Sequence, residues 1–181
     1  MIVVEGPDGA GKTSLVRKLT VEFNLPAHAR ASDSVQGPVV DLFDWAHRDV
    51  VTMPDQELSV YDRHPLISEY VYGPICRSRL PSGFVTTTAH ALVRMMAPRV
   101  LVVLCRPSTE RLITSVDADR DMPGVREHIA RIASAYDALR IFWPGVIVSY
   151  DYANASNLDK VFSACRIHVA GERMKRAQGG I

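Results

Sequence analysis

The chain has 181 residues, of which 47% are hydrophobic and 23% charged, with 21 basic residues against 20 acidic and a formal net charge of +1. That balance suits one compact domain and excludes a disordered tail, a collagen-like repeat or a coiled coil. No apolar run approaches the ~18 residues needed to cross a bilayer, and a near-zero net charge argues against wholesale attraction to membranes or nucleic acid.

Met1 leads straight into Ile2, Val3 and Val4, a β-branched run that reads as a buried strand, so no secretory signal peptide is expected. Leu15, Val16, Leu19 and Phe23 then recur at helical spacing over 12–23, stopping near Asn24 and Pro26. An extended stretch from Pro26 to Ala31 carries Arg30 and ends at the turn-like Ser32-Asp33-Ser34. Pro38 is expected to open a second helix, with Val39, Leu42, Ala46 and Val50 on one face. Leu58 to Tyr61 reads as a strand, stopped by Asp62-Arg63-His64-Pro65. A short helix is expected over 66–73, ending at Gly73-Pro74, then a loop over 76–83 and a helix over 84–97. Val100 to Leu104, five apolar residues in a row, is the strongest strand signal. A helix from Ser108 to about Val116 leads into the polar, turn-rich stretch 117–124. Val125, Ile129, Ile132, Tyr136 and Leu139 mark another helix, Val146 to Ser149 a last strand, and Leu158, Val161, Phe162 and Cys165 a last helix. The polar tail 171–181 is expected to fray.

Strands thus alternate with helices five times, and they are continuous apolar runs. That pattern predicts a parallel sheet buried on both faces, in a single α/β domain over 1–170. Cys76, Cys105 and Cys165 are odd in number and in no CxxC pattern, which fits reduced packing thiols and a cytoplasmic location.

Gly6-Pro-Asp-Gly-Ala-Gly11-Lys12-Thr13 fits GxxxxGK[ST] and sits between a predicted strand and a predicted helix. Glycines let such a loop curl its N–H groups inward around phosphate oxygens, and the helix adds the positive end of its dipole. Gly6, Asp8, Gly9, Ala10, Gly11, Lys12, Thr13 and Ser14 are therefore the candidate cradle for ATP, with Lys12 on the β- and γ-phosphates and Thr13 on Mg²⁺. Asp8 beside a triphosphate is costly. Either it serves the Asp-Gly bend, or it faces hydroxyl donors of a second substrate.

Asp62-Arg63-His64 follows a strand directly, where an open α/β sheet places its ligand crevice. Asp62 there can hold Mg²⁺ through water and Arg63 can fork onto a phosphate; a strand-end salt bridge is the plainer reading. Asp44 and Arg48 are spaced i,i+4, which favours a solvated ion pair, and Phe43 and Trp45 are more in keeping with core packing.

Taken together, these motifs resemble the thymidylate kinases. Ile2 to Leu15 (IVVEGPDGAGKTSL) is similar to their EGxDGxGK[ST] opening, Asp62-Arg63-His64 to their DR[YH], Leu42 to Arg48 (LFDWAHR) to their LLFxAxR helix, and Val125 to Leu139 to the helix after their lid. The order matches over most of residues 1–150. The resemblance implies a three-layer P-loop kinase fold, a five-stranded parallel sheet with a short lid at about 117–124, and phosphoryl transfer from ATP to a deoxynucleoside monophosphate. It implies that Asp8 contacts the sugar 3′-hydroxyl, Arg63 the acceptor phosphate, Arg48 the base or phosphate, and Arg30 a phosphate. Arg120 matches the lid arginine, with Arg111 and Arg126 as rivals. Dimers are common in that family, so the resemblance leaves a homodimer open, with small nucleotides as partners. The chain is short for the family, as in a viral or otherwise compact member.

The base pocket departs from the family. Asp44 stands where its members stack a phenylalanine on thymine, Phe43 is one position off, and the Ser and Tyr after DR[YH] fall at Ser68 and Tyr72. A carboxylate at Asp44 would accept from an exocyclic amine, favouring cytosine or adenine. A monophosphate acceptor, largely dianionic at neutral pH, needs positioning and charge neutralisation rather than a base. A nucleoside acceptor needs a carboxylate base; no base motif precedes Asp62 after Arg48, where Glu57 falls in a loop-like stretch, while Glu5 and Asp33 are further candidates, so the arginine supply favours the monophosphate. A deoxynucleoside kinase or a P-loop binding module without turnover are the alternatives.

Overall fold

The apolar runs assemble as one sheet because their side chains need cover on both faces. The structure, a computed structural model, describes residues 1–28, 32–33, 37–38, 41–53, 56–77, 79–80, 83–116 and 123–178. In chain order these form β1 (Ile2–Glu5), α1 (Lys12–Phe23), β2 (Ala27–His28), β3 (Ser32–Asp33), β4 (Gly37–Pro38), α2 (Leu42–Thr52), β5 (Val60–Asp62) and α3 (Pro65–Cys76). There follow α4 (Thr87–Met96), a 3₁₀ turn (Ala97–Arg99), β6 (Leu101–Cys105), α5 (Thr109–Ser115), α6 (Val125–Phe142), β7 (Val146–Tyr150) and α7 (Ala155–Gln178). Five strands pair in the order β2-β5-β1-β6-β7, all parallel, with Val3 of central β1 opposite Tyr61 and Val102; β3 and β4 form a separate antiparallel pair.

Two cores flank the sheet. Ile2 and Val4 face one side with Leu15, Leu19, Ile132 and Val161, whereas Met1 and Val3 face the other with Leu42, Ala46, Leu92 and Met96. Successive side chains of a strand point to opposite faces, so an unbroken apolar run is what a doubly covered sheet requires. After β1 the chain crosses to edge strand β2, returns to β5 between β2 and β1, and then builds outward on the other side through β6 and β7. The carboxyl ends of β1 and β5, at Glu5 and Asp62, therefore open onto the crevice where such sheets hold ligands. Among the described residues no helix is long and apolar enough to cross a membrane.

Three elements differ from the sequence expectation. Pro38 does not open α2 but lies in β4; the helix starts at Leu42 because the Asp41 carboxylate caps it, accepting from the Phe43 and Asp44 amides at 3.0 and 3.2 Å. Helix α3 runs through Gly73-Pro74 to Cys76, since a proline so near the end removes only one helical bond, and the Arg77 and Arg79 amides close the helix on the Gly73 carbonyl. The tail does not fray at 171: α7 continues to Gln178. Glu172, only 4% exposed, pairs with Lys175 at 2.6 Å, and Arg176 donates to the Gln56 carbonyl, so polar residues themselves dock this end.

Gly6, which ends the central strand, has φ +141, and a Cβ there would lie 2.2 Å from the Cys105 carbonyl oxygen on β6. Gly6→Ala should destabilise the protein by about 1–3 kcal/mol, the usual cost of overpacking, on top of the strained φ. A urea titration should show a lower midpoint with the slope unchanged; a midpoint equal to wild type would contradict the close approach.

Candidate active site

The phosphate loop is built as its sequence demands, between the end of β1 and the start of α1. Gly11 caps α1 in the left-handed region (φ 78) without a side-chain bond, leaving the helix N-terminus open to an anion. Lys12 is 5% exposed, and its Nζ donates to the Pro7 carbonyl at 2.5 Å and lies 3.8 Å from Asp8. Burial, followed by the charge of Arg63, lowers the Lys12 ammonium to about 8, with Asp8 and Asp62 pulling the other way. The Thr13 hydroxyl donates to Asp62 Oδ2 at 3.1 Å, so the two residues read as Mg²⁺ ligands meet across 49 positions of sequence. A hydroxyl and one carboxylate suit Mg²⁺, which takes few protein oxygens and draws the rest from phosphates and water. No cluster of three or more metal-ligating His, Cys, Asp or Glu side chains lies among the described residues. Ser14 is exposed on the first turn of α1, and Ala10 is wholly buried in the core.

Arg63 is the hub. Its backbone amide donates to the Val4 carbonyl at 3.0 Å, and its φ of 73 places a non-glycine residue in the left-handed region, a conformation that costs about 1–3 kcal/mol and persists only where its surroundings enforce it. From there the guanidinium donates to Asp8 (2.7 Å), Tyr72 (2.9 Å) and Tyr136 (2.8 Å), and it lies over the Tyr72 ring, 4.7 Å from its centroid. The Tyr72 hydroxyl donates in turn to the other oxygen of Asp8 at 2.9 Å. Asp8 therefore faces across the cleft rather than serving only its turn. Burial pushes its carboxyl up, but the charges of Arg63 and Lys12, with hydrogen bonds from Tyr72 and Arg63, outweigh it and bring Asp8 to about 2.

Beneath this hub lies Glu5, wholly buried at the end of β1. One of its oxygens accepts from the His64 amide and the other from the Tyr136 hydroxyl, both at 2.8 Å, with the Arg63 guanidinium 3.9 Å away. Burial pushes Glu5 above the usual carboxylate range. The sequence pattern places Tyr136 in the apolar stripe of a helix and offers Glu5 only as a possible base. The available signal was a carboxylate in a run that the pattern buries, since such a group needs partners. Tyr152, in the turn after β7, lies against Gly11 and was likewise not foreseen.

The remaining candidates are placed unevenly. Tyr72 is in the hub. Phe43 packs edge-on against Phe84 and beside Gly83, so it belongs to the second core's margin. Asp44 and Arg48 are exposed, and Arg48 Nε reaches the Asp44 carbonyl at 3.4 Å, a bond within the helix rather than the expected ion pair. Glu69, 5% exposed and one helical turn before Tyr72 on α3, forms an ion pair with Arg77. Arg111 and Arg126 are exposed on their helices. Arg30, Arg120 and residues 117–122 of the expected lid lie outside the described residues.

No protein-family model matches the chain, and no curated protein matches it in sequence. Solved structures do resemble it. The YorR protein from Bacillus subtilis, solved in complex with phosphorylated GDP, superposes with a TM-score of 0.68 at 16% identity, covering 93% of this chain and 97% of that one. Deoxyadenosine kinase from M. mycoides, solved with the products dCMP and a flexible dCDP, gives a TM-score of 0.59 at 11% identity over 91% of this chain and 97% of that one. The same enzyme with bound dATP gives 0.57 at 13% identity over 91% and 98%. At such identities the likeness shows the fold alone, a five-stranded parallel sheet flanked by helices.

The Asp8 interactions have a pH signature. Its folded value of about 2 lies below the ordinary 3.8, so they contribute stability that is fully present above about pH 4 and is lost as the pH falls through the folded value. Unfolding free energies of wild type and Asp8→Asn, measured from pH 6 to pH 2, should converge in that window; parallel curves would contradict the assignment.

Proposed function

We propose that the protein transfers the γ-phosphoryl group of ATP to the 5′-phosphate of a deoxynucleoside monophosphate, giving the diphosphate. The observation that carries this reading is the meeting of two phosphate-seeking cations on one carboxylate. Lys12 from the phosphate loop and Arg63 from the end of β5 lie 3.8 and 2.7 Å from the same oxygen of Asp8. A donor phosphate on the loop and an acceptor phosphate on Arg63 would thus be neighbours, as in-line transfer requires. An acceptor phosphate oxygen would attack the γ-phosphorus while the bond to the bridging oxygen of the β-phosphate breaks and ADP departs. Lys12 and the N-terminus of α1 would bind the phosphates of ATP, and Arg63 would hold the acceptor dianion, so no base is required. Asp8, kept ionised, is suited to accept from a sugar hydroxyl. Thr13 and Asp62 are the residues that would hold Mg²⁺, which supplies neutralisation of phosphate charge when bound.

A deoxynucleoside kinase is the second reading, and Glu69 is the observation that favours it. This carboxylate on α3 is raised by burial, although Arg77 opposes the shift, and a raised carboxylate suits removal of a hydroxyl proton. The solved structures of similar fold include a deoxyadenosine kinase, which is compatible with either acceptor.

A screen for ADP release over all deoxynucleoside monophosphates and deoxynucleosides separates the two. Turnover of monophosphates alone supports the proposal, turnover of nucleosides alone supports the second reading, and nucleotide binding without transfer to any acceptor overturns both. Running Asp44→Asn on the same panel tests the amine-base preference, which is discarded if the ranking is unchanged. Lys12→Ala should lower kcat by a factor on the order of 100 to 1,000 or more with the fold intact by circular dichroism. A near-normal kcat would overturn the site.

A further inference from the structure

The residue after the strained Arg63 joins β1, α3 and α2 through its hydrogen bonds. His64 is wholly buried and uses every polar atom. Its amide donates to Glu5, its carbonyl accepts from the Ile67 and Ser68 amides and the Ser68 hydroxyl, and its Nδ1 accepts from the Leu66 amide at 3.2 Å, capping α3. With Nδ1 an acceptor, the ring proton of the neutral imidazole sits on Nε2, which faces Asp49 Oδ2 on α2 at 3.2 Å. Asp49 is itself 6% exposed, and its other oxygen accepts from the Tyr61 hydroxyl on β5 at 2.8 Å and from Gln56 Nε2 at 3.4 Å. The Trp45 ring, also from α2, lies tilted against the imidazole at 5.5 Å between centroids.

We propose that His64 is a positioning residue for the acceptor phosphate. Its Nε2–Asp49 arm locks the turn that aims Arg63 to helix α2, so that a guanidinium on a left-handed residue stays directed at the cleft. The inference rests on the proposed transfer to a phosphate acceptor. Two separate tasks meet in this ring: the cap through Nδ1 stabilises α3, and the arm through Nε2 orients Arg63. They can be divided. Asn at 64 places an acceptor near the Nδ1 position and is itself a good cap, but it ends short of Asp49. Gln reaches Asp49 with its amide nitrogen and forfeits the cap.

His64→Asn should raise the acceptor KM roughly tenfold to a hundredfold, the scale of an ångström-sized misplacement, while the ATP KM stays within about twofold of wild type. His64→Gln should show the reverse: a lower melting midpoint with an acceptor KM close to wild type. An acceptor KM unchanged in His64→Asn, or a rise equal for both substrates, overturns the proposal. A second measurement stands independently of turnover. The side-chain N–H resonances of Arg63, identified by their loss in Arg63→Lys, should be protected from solvent exchange in wild type and His64→Gln and unprotected in His64→Asn. Equal protection in all three overturns the proposal. A wild type that transfers phosphate to no acceptor overturns the proposed function, and the resonances then decide this inference alone.

Discussion

The ion pair between Asp8 and Arg63, 2.7 Å long, joins the phosphate loop to the end of β5, and the local structure is arranged to keep it. Neither partner is well placed by itself. Asp8 sits in a loop designed for anions, where a carboxylate is repelled by any bound phosphate, and Arg63 sits at a φ that only glycine adopts at little cost. Tyr72 and Tyr136 complete the pair by sharing its hydrogen bonds, and Glu5 accepts from Tyr136 below it. Buried polar groups of this kind are expensive unless every member is satisfied, and a satisfied network enforces one geometry.

That geometry depends on a sheet covered on both sides. Glu5 can be wholly buried only because β1 is central, paired with β5 and β6, with helices packed over both faces. The low-dielectric surroundings raise Glu5 and lower Lys12, and they also strengthen the attraction that holds Asp8 ionised. The same burial that forms the core therefore sets the charge states of the site. The close approach of Gly6 to the Cys105 carbonyl has a similar double effect, since it fixes where β1 ends and hence where the loop begins.

Much of this was legible in the chain. Apolar runs such as Val100 to Leu104 need cover on two faces, which already implies a parallel sheet, and the loop from Gly6 to Thr13 carries its own backbone requirements. The departures arise where capping and docking contacts override simple propensity rules. Pro38 yields the start of α2 to the Asp41 cap, α3 runs past Gly73-Pro74 to Cys76, and the polar tail docks through Glu172 and Arg176.

By itself the sequence determined the fold class and the phosphate loop, because each follows from spacing along the chain. Only the tertiary structure decided that Asp8 meets Arg63, that Glu5 and Tyr136 support them, and that His64 ties the turn to Asp49 on α2. These contacts join residues 55, 131 and 15 positions apart. No local periodicity encodes such distances. They exist because a central parallel strand brings the carboxyl ends of its neighbours into one crevice.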